Sequence, residues 1–138
     1  MYAVLTIDAE ILEAIVAHAR RDHPDEACGV VAGSSYDDPT RFVPMLNAAR
    51  SPTFYEFDSI DLLKLYREMD DRDEVPAVIY HSHTATEAYP SRTDISLAQE
   101  PEAHYVLVST REPDSEEFRS YRIVDGTVAE EPVEILPG

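Results

Sequence analysis

The chain has 138 residues, 43% of them hydrophobic, which fits one domain spanning residues 1–138 with a single hydrophobic core. Its 28 acidic and 11 basic residues give a formal net charge of −17, which argues against nucleic acid as a partner because phosphates would be repelled. No segment approaches the ~20 apolar residues of a membrane helix and the start lacks signal-peptide features, so we expect a cytoplasmic protein without a membrane partner.

The first half of the chain predicts two amphipathic helices and several strands. The first helix follows Asp8 as its N-cap and repeats apolar residues at helical spacing until Pro24. The second helix begins near Asp58 and ends before the acidic run at residues 70–74. Strands are expected at residues 3–6, at Cys28–Gly33, and at residues 41–46 and 54–57.

The second half contains the segment with the clearest functional pattern. A strand at residues 75–80 leads directly into His81-Ser82-His83, and the loop at 84–90 separates it from a third helix expected over 91–99. Further strands are expected at residues 105–109, 119–124 and 128–136, with Asp125-Gly126 as a hairpin turn. Together these elements predict a mixed α/β (α+β) fold in which helices flank a mostly antiparallel sheet.

The two histidines have the spacing of metal ligands on one strand. Side chains alternate between the faces of a strand, so His81 and His83 point to the same side and Ser82 points away. Catalytic zinc sites use three protein ligands and keep a fourth position open to water. Because Cys28 is the only cysteine, the ligands must be His, Asp or Glu, and Asp94 at the start of the third helix is the expected third one.

Two further residues are candidates for catalysis. Peptide hydrolysis needs a carboxylate that takes a proton from water and passes it to the leaving amine, a role that suits Glu26; a solvated carboxylate is the alternative. Ser91 can donate a hydrogen bond to the oxyanion, or it can serve only as the cap of the third helix.

Cys28 is expected to be a small core residue, with a functional thiol as the alternative. The other histidines are expected at the surface or at caps, without a functional role: His18, His23 and His104.

Six residues form one pattern along the chain: Glu26, His81-Ser82-His83, Ser91 and Asp94. This pattern resembles the signature of the JAMM (MPN+) metalloprotease family, and its four elements occur in the family's order. Thr84 stands where many members of the family have proline. The resemblance implies a JAMM/MPN fold of cytidine-deaminase-like architecture and a Zn²⁺ cofactor held by the two histidines and Asp94. It also implies catalytic roles for Glu26 and Ser91.

Three segments refine this resemblance: the loop at residues 84–90 and the stretches at 25–29 and 51–55. They are similar to the actinobacterial Mec branch, whose members release cysteine from the C-terminus of a small ubiquitin-like sulfur-carrier protein, CysO, in cysteine biosynthesis. The resemblance implies a carrier with a Gly-Gly tail as the partner and cleavage of its glycine–cysteine amide. The alternatives are hydrolysis of other ubiquitin-like conjugates or of a cell-wall peptide, and a non-catalytic MPN scaffold.

Overall fold

The fold combines one large sheet, a second two-stranded sheet and helices on the faces of the large sheet. The computed structural model describes residues 3–114 and 116–137. In chain order its elements are β1 (Leu5–Asp8), α1 (Ala9–Asp22), β2 (Cys28–Gly33), β3 (Pro39–Met45), α2 (Ser59–Asp71), β4 (Val75–His83), α3 (Arg92–Leu97), β5 (His104–Ser109), β6 (Glu117–Val124), β7 (Thr127–Glu131) and β8 (Val133–Leu136). None of the helices in these described stretches is long and apolar enough to cross a membrane.

The large sheet has the strand order β3-β2-β4-β5-β6-β7. Its neighbouring strands run antiparallel except for β4 and β5, which are parallel, so the mixed, mostly antiparallel sheet was predicted correctly. β4 lies between β2 and β5, and eight of its nine residues are buried. A strand covered on both faces in this way has a nearly continuous apolar sequence, as Val75-Pro-Ala-Val-Ile-Tyr80 does.

Alternate residues of β4 face different helices. The face that carries Val78 and Tyr80 packs against the apolar stripe of α1, which consists of Leu12, Ile15, Val16 and Ala19. The opposite face of the large sheet packs against α2 through Leu65 and Met69, and against the α3 segment. His81 and His83 follow Ile79 at intervals of two and therefore belong to this second face.

Two of the predicted strands are wrong in extent or kind. Residues 54–57 form no strand; Phe57 makes only an isolated bridge to Asn47. The Asn47 side chain bonds the carbonyl of Phe54 and the N–H of Glu56, so these backbone groups have no need of a strand partner. The segment expected at 128–136 is divided at Pro132 into β7 and β8, and β8 pairs in parallel with β1 in the second sheet.

The helices follow the sequence expectations with shifted ends. Asp58 caps α2, since its side chain accepts a hydrogen bond of 3.0 Å from the N–H of Asp61. Asp8 occupies the N-cap position of α1 but makes no side-chain capping bond. α3 ends at Leu97, two residues before the predicted end, because Ala98 already has an extended backbone.

Candidate metal centre

The end of β4 and the first turn of α3 bring three potential metal ligands together. His81 and His83 are buried at the end of β4, and Asp94 lies in the first turn of α3. The Oδ2 atom of Asp94 is 3.1 Å from Nε2 of His81 and 3.2 Å from Nε2 of His83. One ligand atom from each of the three residues lies within 4.8 Å of the other two, so the cluster can hold a single ion.

The cluster meets the requirements of a metal site in spacing and in donor atoms. Ligand atoms bound to a tetrahedral zinc ion lie roughly 3.3 to 3.6 Å from one another, close to the separations observed here. Nε2 of His81 is buried and has no hydrogen-bond partner among the described residues, although the Asp94 carboxylate is near. A buried polar atom without a partner is costly, and a metal ion would satisfy it.

Neighbouring groups orient the two imidazoles. Nδ1 of His83 lies 2.8 Å from the carbonyl oxygen of Glu87, which can only accept, so Nδ1 carries the proton. Nε2 of His83 is then the unprotonated nitrogen that faces Asp94 and can bind a metal. The ring of Tyr55 stacks on His81 with a centroid distance of 4.5 Å and an interplanar angle of 22°. Both histidines are thus held in place before any ion binds.

Ser91 and Asp94 fix each other through a capping box at the start of α3. The N–H of Ser91 donates to Oδ2 of Asp94 at 2.8 Å, and the N–H of Asp94 donates to Oγ of Ser91 at 3.1 Å. Ser91 is therefore a helix cap, as one of the two interpretations of the sequence held. The hydroxyl only accepts in this bond, so its proton is available for a second partner, and capping leaves the oxyanion role possible.

The protonation states of Asp94 and His81 suit metal binding. For His83, burial acts to lower the pKa, but contacts with Asp94 and the Glu87 carbonyl outweigh it and raise that pKa. Burial alone would raise the pKa of Asp94, but the adjacent imidazoles of His81 and His83 and the N–H of Ser91 outweigh it and hold that pKa well below its usual range. Burial lowers the pKa of His81. An ionised carboxylate beside a neutral imidazole is the combination that a metal requires.

Glu26 lies two residues before the start of β2, at the same end of the sheet as the two histidines. Its side chain is 5% exposed. Burial raises the pKa of Glu26 to about 7. The charge of His83 lowers this pKa and that of Asp94 raises it, so both residues are close enough to affect the ionisation of the carboxyl group. At neutral pH such a group can accept a proton and release it again. Glu26 is thus buried and close to the cluster. The alternative expectation, a carboxylate exposed to solvent, does not describe it.

Two residues that shape the site were not predicted from the sequence. Tyr55 stacks on His81. It belongs to the stretch at residues 51–55 that resembles the Mec branch, but no pattern in the sequence assigned it a role. Asn47 is 5% exposed, and its Nδ2 donates at 2.9 Å to the carbonyls of both Glu26 and Phe54. Nothing in the spacing of these residues could identify their partners, because both contacts depend on how the loop between β3 and α2 folds back.

The other histidines and the cysteine lie outside the cluster. The expectation of surface or capping positions is wrong for His18 and His104, which are both buried. His104 lies 2.6 Å from Glu131, and His18 bonds the hydroxyl of Tyr80. His23 is exposed, as expected. Cys28 is buried in the core, and burial raises the pKa of its thiol to about 12, so a structural role is the better interpretation.

Comparison with known proteins agrees with this geometry. The model of the Prok-JAB family, described as prokaryotic homologs of the JAB domain, matches residues 8–124. The chain belongs to this family. The resemblance to JAMM/MPN proteins is therefore confirmed. Among curated members, the CysO-cysteine peptidase of Mycobacterium tuberculosis is 68% identical over 134 residues, which cover 96% of this chain and 92% of that protein.

Solved structures confirm the fold expected for a Prok-JAB protein. Protein DSY2949 from Desulfitobacterium hafniense is 32% identical with a TM-score of 0.84, and the match covers 99% of this chain and 94% of that one. AF2198, a JAB1/MPN domain protein from Archaeoglobus fulgidus, has a TM-score of 0.60 at 21% identity. That match covers 95% of this chain and 98% of that one, so the architecture is shared over nearly the whole length.

Proposed function

We propose that this chain is a zinc-dependent peptidase that hydrolyses the amide between the C-terminal glycine of a ubiquitin-like sulfur-carrier protein and an attached cysteine. The observation that carries the proposal is the cluster of His81, His83 and Asp94 beside the buried Glu26. Identity of 68% to a CysO-cysteine peptidase confirms the expected enzyme class and supports a carrier conjugate as the substrate.

Five residues would carry out the reaction. His81, His83 and Asp94 would hold the zinc ion, and a zinc ion there would supply Lewis acidity to a water molecule and to the scissile carbonyl. Glu26 would take a proton from the attacking water and deliver it to the cysteine nitrogen as the carbon–nitrogen bond breaks. Ser91, with its hydroxyl proton free, would donate a hydrogen bond to the oxyanion. The products are the carrier with a free glycine carboxylate and L-cysteine.

A groove beside the cluster supports a slender tail as the substrate. It has a volume of about 530 Å³, and Tyr55, whose ring stacks on His81, is one of its walls. Four other aromatic residues line it together with aliphatic residues, a glutamine and two glutamates: Phe54, Phe57, Tyr66 and Tyr105. We place the Gly-Gly tail of the carrier in this groove, because glycine has no side chain that would collide with the aromatic walls. The free thiol of Cys28 fits a reducing compartment, and we place the enzyme in the cytoplasm.

The test is the release of cysteine from a carrier protein that ends in Gly-Gly-Cys. Mass spectrometry should show loss of the terminal residue with the zinc-loaded protein, whereas Glu26→Gln should bind zinc but lose hydrolysis at least 100-fold. Glu13→Gln is the matched control, because Glu13 is an exposed residue of α1, and it should cleave like the parent. An intact carrier after incubation with the parent, or full activity of Glu26→Gln, would contradict the proposal.

A further inference from the structure

Arg50 lies in a turn that is fixed to the backbone of Glu26. The carbonyl of the following residue, Ser51, accepts a hydrogen bond of 2.9 Å from the N–H of Glu26. Asn47 closes the turn by accepting from the N–H of Arg50 at 3.1 Å, and its side chain donates at 2.9 Å to the carbonyl of Glu26. Both flanks of Arg50 are thus hydrogen-bonded to Glu26, which holds this arginine next to Glu26.

The conformation and surroundings of Arg50 are unusual for a surface residue. Its φ angle is 46°, in the left-handed region that non-glycine residues rarely adopt. In a chain with 28 acidic and 11 basic residues, Arg50 has no ion pair or side-chain hydrogen bond over residues 3–114 and 116–137. A strained backbone that presents an unpaired cation points to a ligand rather than to a structural role.

Arg50 and Glu26 line the same cavity, which has a volume of about 360 Å³. The cavity also contains the carboxyl groups of Asp22 and Asp25, so an anion could enter it only with a cationic partner. Arg21 is the second arginine of this lining, but it belongs to the last turn of α1, whereas the turn that carries Arg50 is hydrogen-bonded to the backbone of Glu26. Arg50 is therefore the cation that is held next to Glu26.

The chemistry of the leaving group determines which anion arrives there. Glu26 protonates the nitrogen of the amino acid that is released, so this nitrogen must lie beside Glu26. The α-carboxylate of a C-terminal residue is only two bonds from that nitrogen, about 2.5 Å away. It must therefore lie on the Glu26 side of the cluster, in the cavity that Arg50 lines.

We propose that Arg50 binds the α-carboxylate of the residue to be released and thereby makes the enzyme specific for a single C-terminal residue. The inference rests on the proposed peptidase function. The planar guanidinium matches a carboxylate through two parallel hydrogen bonds. A conjugate formed on an internal lysine presents no carboxylate at this position and is a poorer substrate.

The test compares a carrier that ends in Gly-Gly-Cys as the free acid with the same carrier ending in the cysteine amide. The zinc-loaded parent should cleave the acid about 10- to 150-fold faster in kcat/KM, as expected for hydrogen bonds to a charged group. Arg50→Gln should cleave both substrates at the rate of the amide, and Arg50→Lys should be intermediate. Arg21→Gln is the matched control, with the same cavity and the same charge change, and should keep the preference of the parent.

Binding provides a readout that does not require turnover. In the Glu26→Gln background, fluorescence anisotropy should show tighter binding of the acid tail peptide than of the amide peptide, and Arg50→Gln should remove only that difference. If the parent cleaves neither carrier, the proposed function fails, and the binding ratio still decides the role of Arg50. The proposal is overturned if the parent cleaves the acid and the amide with equal kcat/KM and the two peptides bind with equal affinity. An Arg50→Gln variant that keeps its zinc content and melting temperature but slows both substrates equally also overturns it.

Discussion

Replacing Asn47 with alanine should destabilise the protein and impair the site while leaving the metal ligands intact. The Asn47 side chain is 5% exposed and makes hydrogen bonds with four backbone groups, those of Glu26, Ala49, Phe54 and Glu56, at 2.9 to 3.1 Å. Each bond contributes about 0.5–1.5 kcal/mol, and water can replace some of them in the exposed loop, so we expect a loss of about 3 kcal/mol. In a chain of this length the melting temperature should fall by roughly 10 °C.

Thermal unfolding followed by circular dichroism measures this loss. Thr53→Ala is the control, because Thr53 lies in the same loop and its exposed side chain has, within the described part of the chain, a hydrogen bond to Ser51 alone; it should change the melting temperature by no more than about 2 °C. Asn47→Ala should still bind zinc, since the ligands lie on β4 and α3, but its kcat should fall because Glu26 is no longer held in place. A melting temperature within about 2 °C of the parent, or equal to that of Thr53→Ala, would refute this account of Asn47.

Two further predictions concern buried titratable groups. Since burial raises the pKa of the Cys28 thiol to about 12, a disulfide reagent at pH 8 should label the unfolded protein but not the native one; rapid native labelling would contradict this. Burial also lowers the pKa of His18 below 6.5, so below that pH the unfolded chain binds more protons, and stability should decrease as the pH falls. In the metal-free protein, urea unfolding at pH 7 and pH 5 should show a smaller decrease for His18→Gln than for the parent, and equal decreases would contradict the assignment.

The sequence was sufficient to predict that His81, His83 and Asp94 come together, because the patterns that carry this prediction are local. His81 and His83 share a face through the two-residue period of a strand, and the spacing from Ser91 to Asp94 is that of a capping box. Both rules operate over a few residues, and the structure shows both. The fold class likewise follows from the order of strands and helices, which depends on hydrophobic periodicity along short segments.

The remaining features depend on contacts between distant segments. Residues 54–57 have the composition of a strand, but the side chain of Asn47 forms hydrogen bonds with the backbone of Phe54 and Glu56. The β-propensity of these residues gives no indication of such a contact. The pairing of β8 with β1 joins segments near the two ends of the sequence, and no local pattern in either segment identifies its partner. His104 and Glu131 are 27 residues apart in sequence and form a buried side-chain hydrogen bond. Local periodicity cannot identify such a pair.

The face of the sheet on which Glu26 lies follows from a strand register, and the loop contacts of Asn47 and Ser51 then hold its backbone there. β2 and β4 are antiparallel with Cys28 opposite His81, and the N–H of Ser82 donates to the carbonyl of Ala27 at 3.0 Å. Continuing this register by one more pair puts Glu26 opposite His83, and paired residues in a sheet share a face. Glu26 and the two histidines therefore occupy one face because of backbone pairing, so a one-residue slip between β2 and β4 would move Glu26 to the α1 side. The largely aromatic groove beside Tyr55 differs chemically from the charged cavity beside Glu26, and for this reason we propose that the tail binds in the groove and the terminal residue in the cavity.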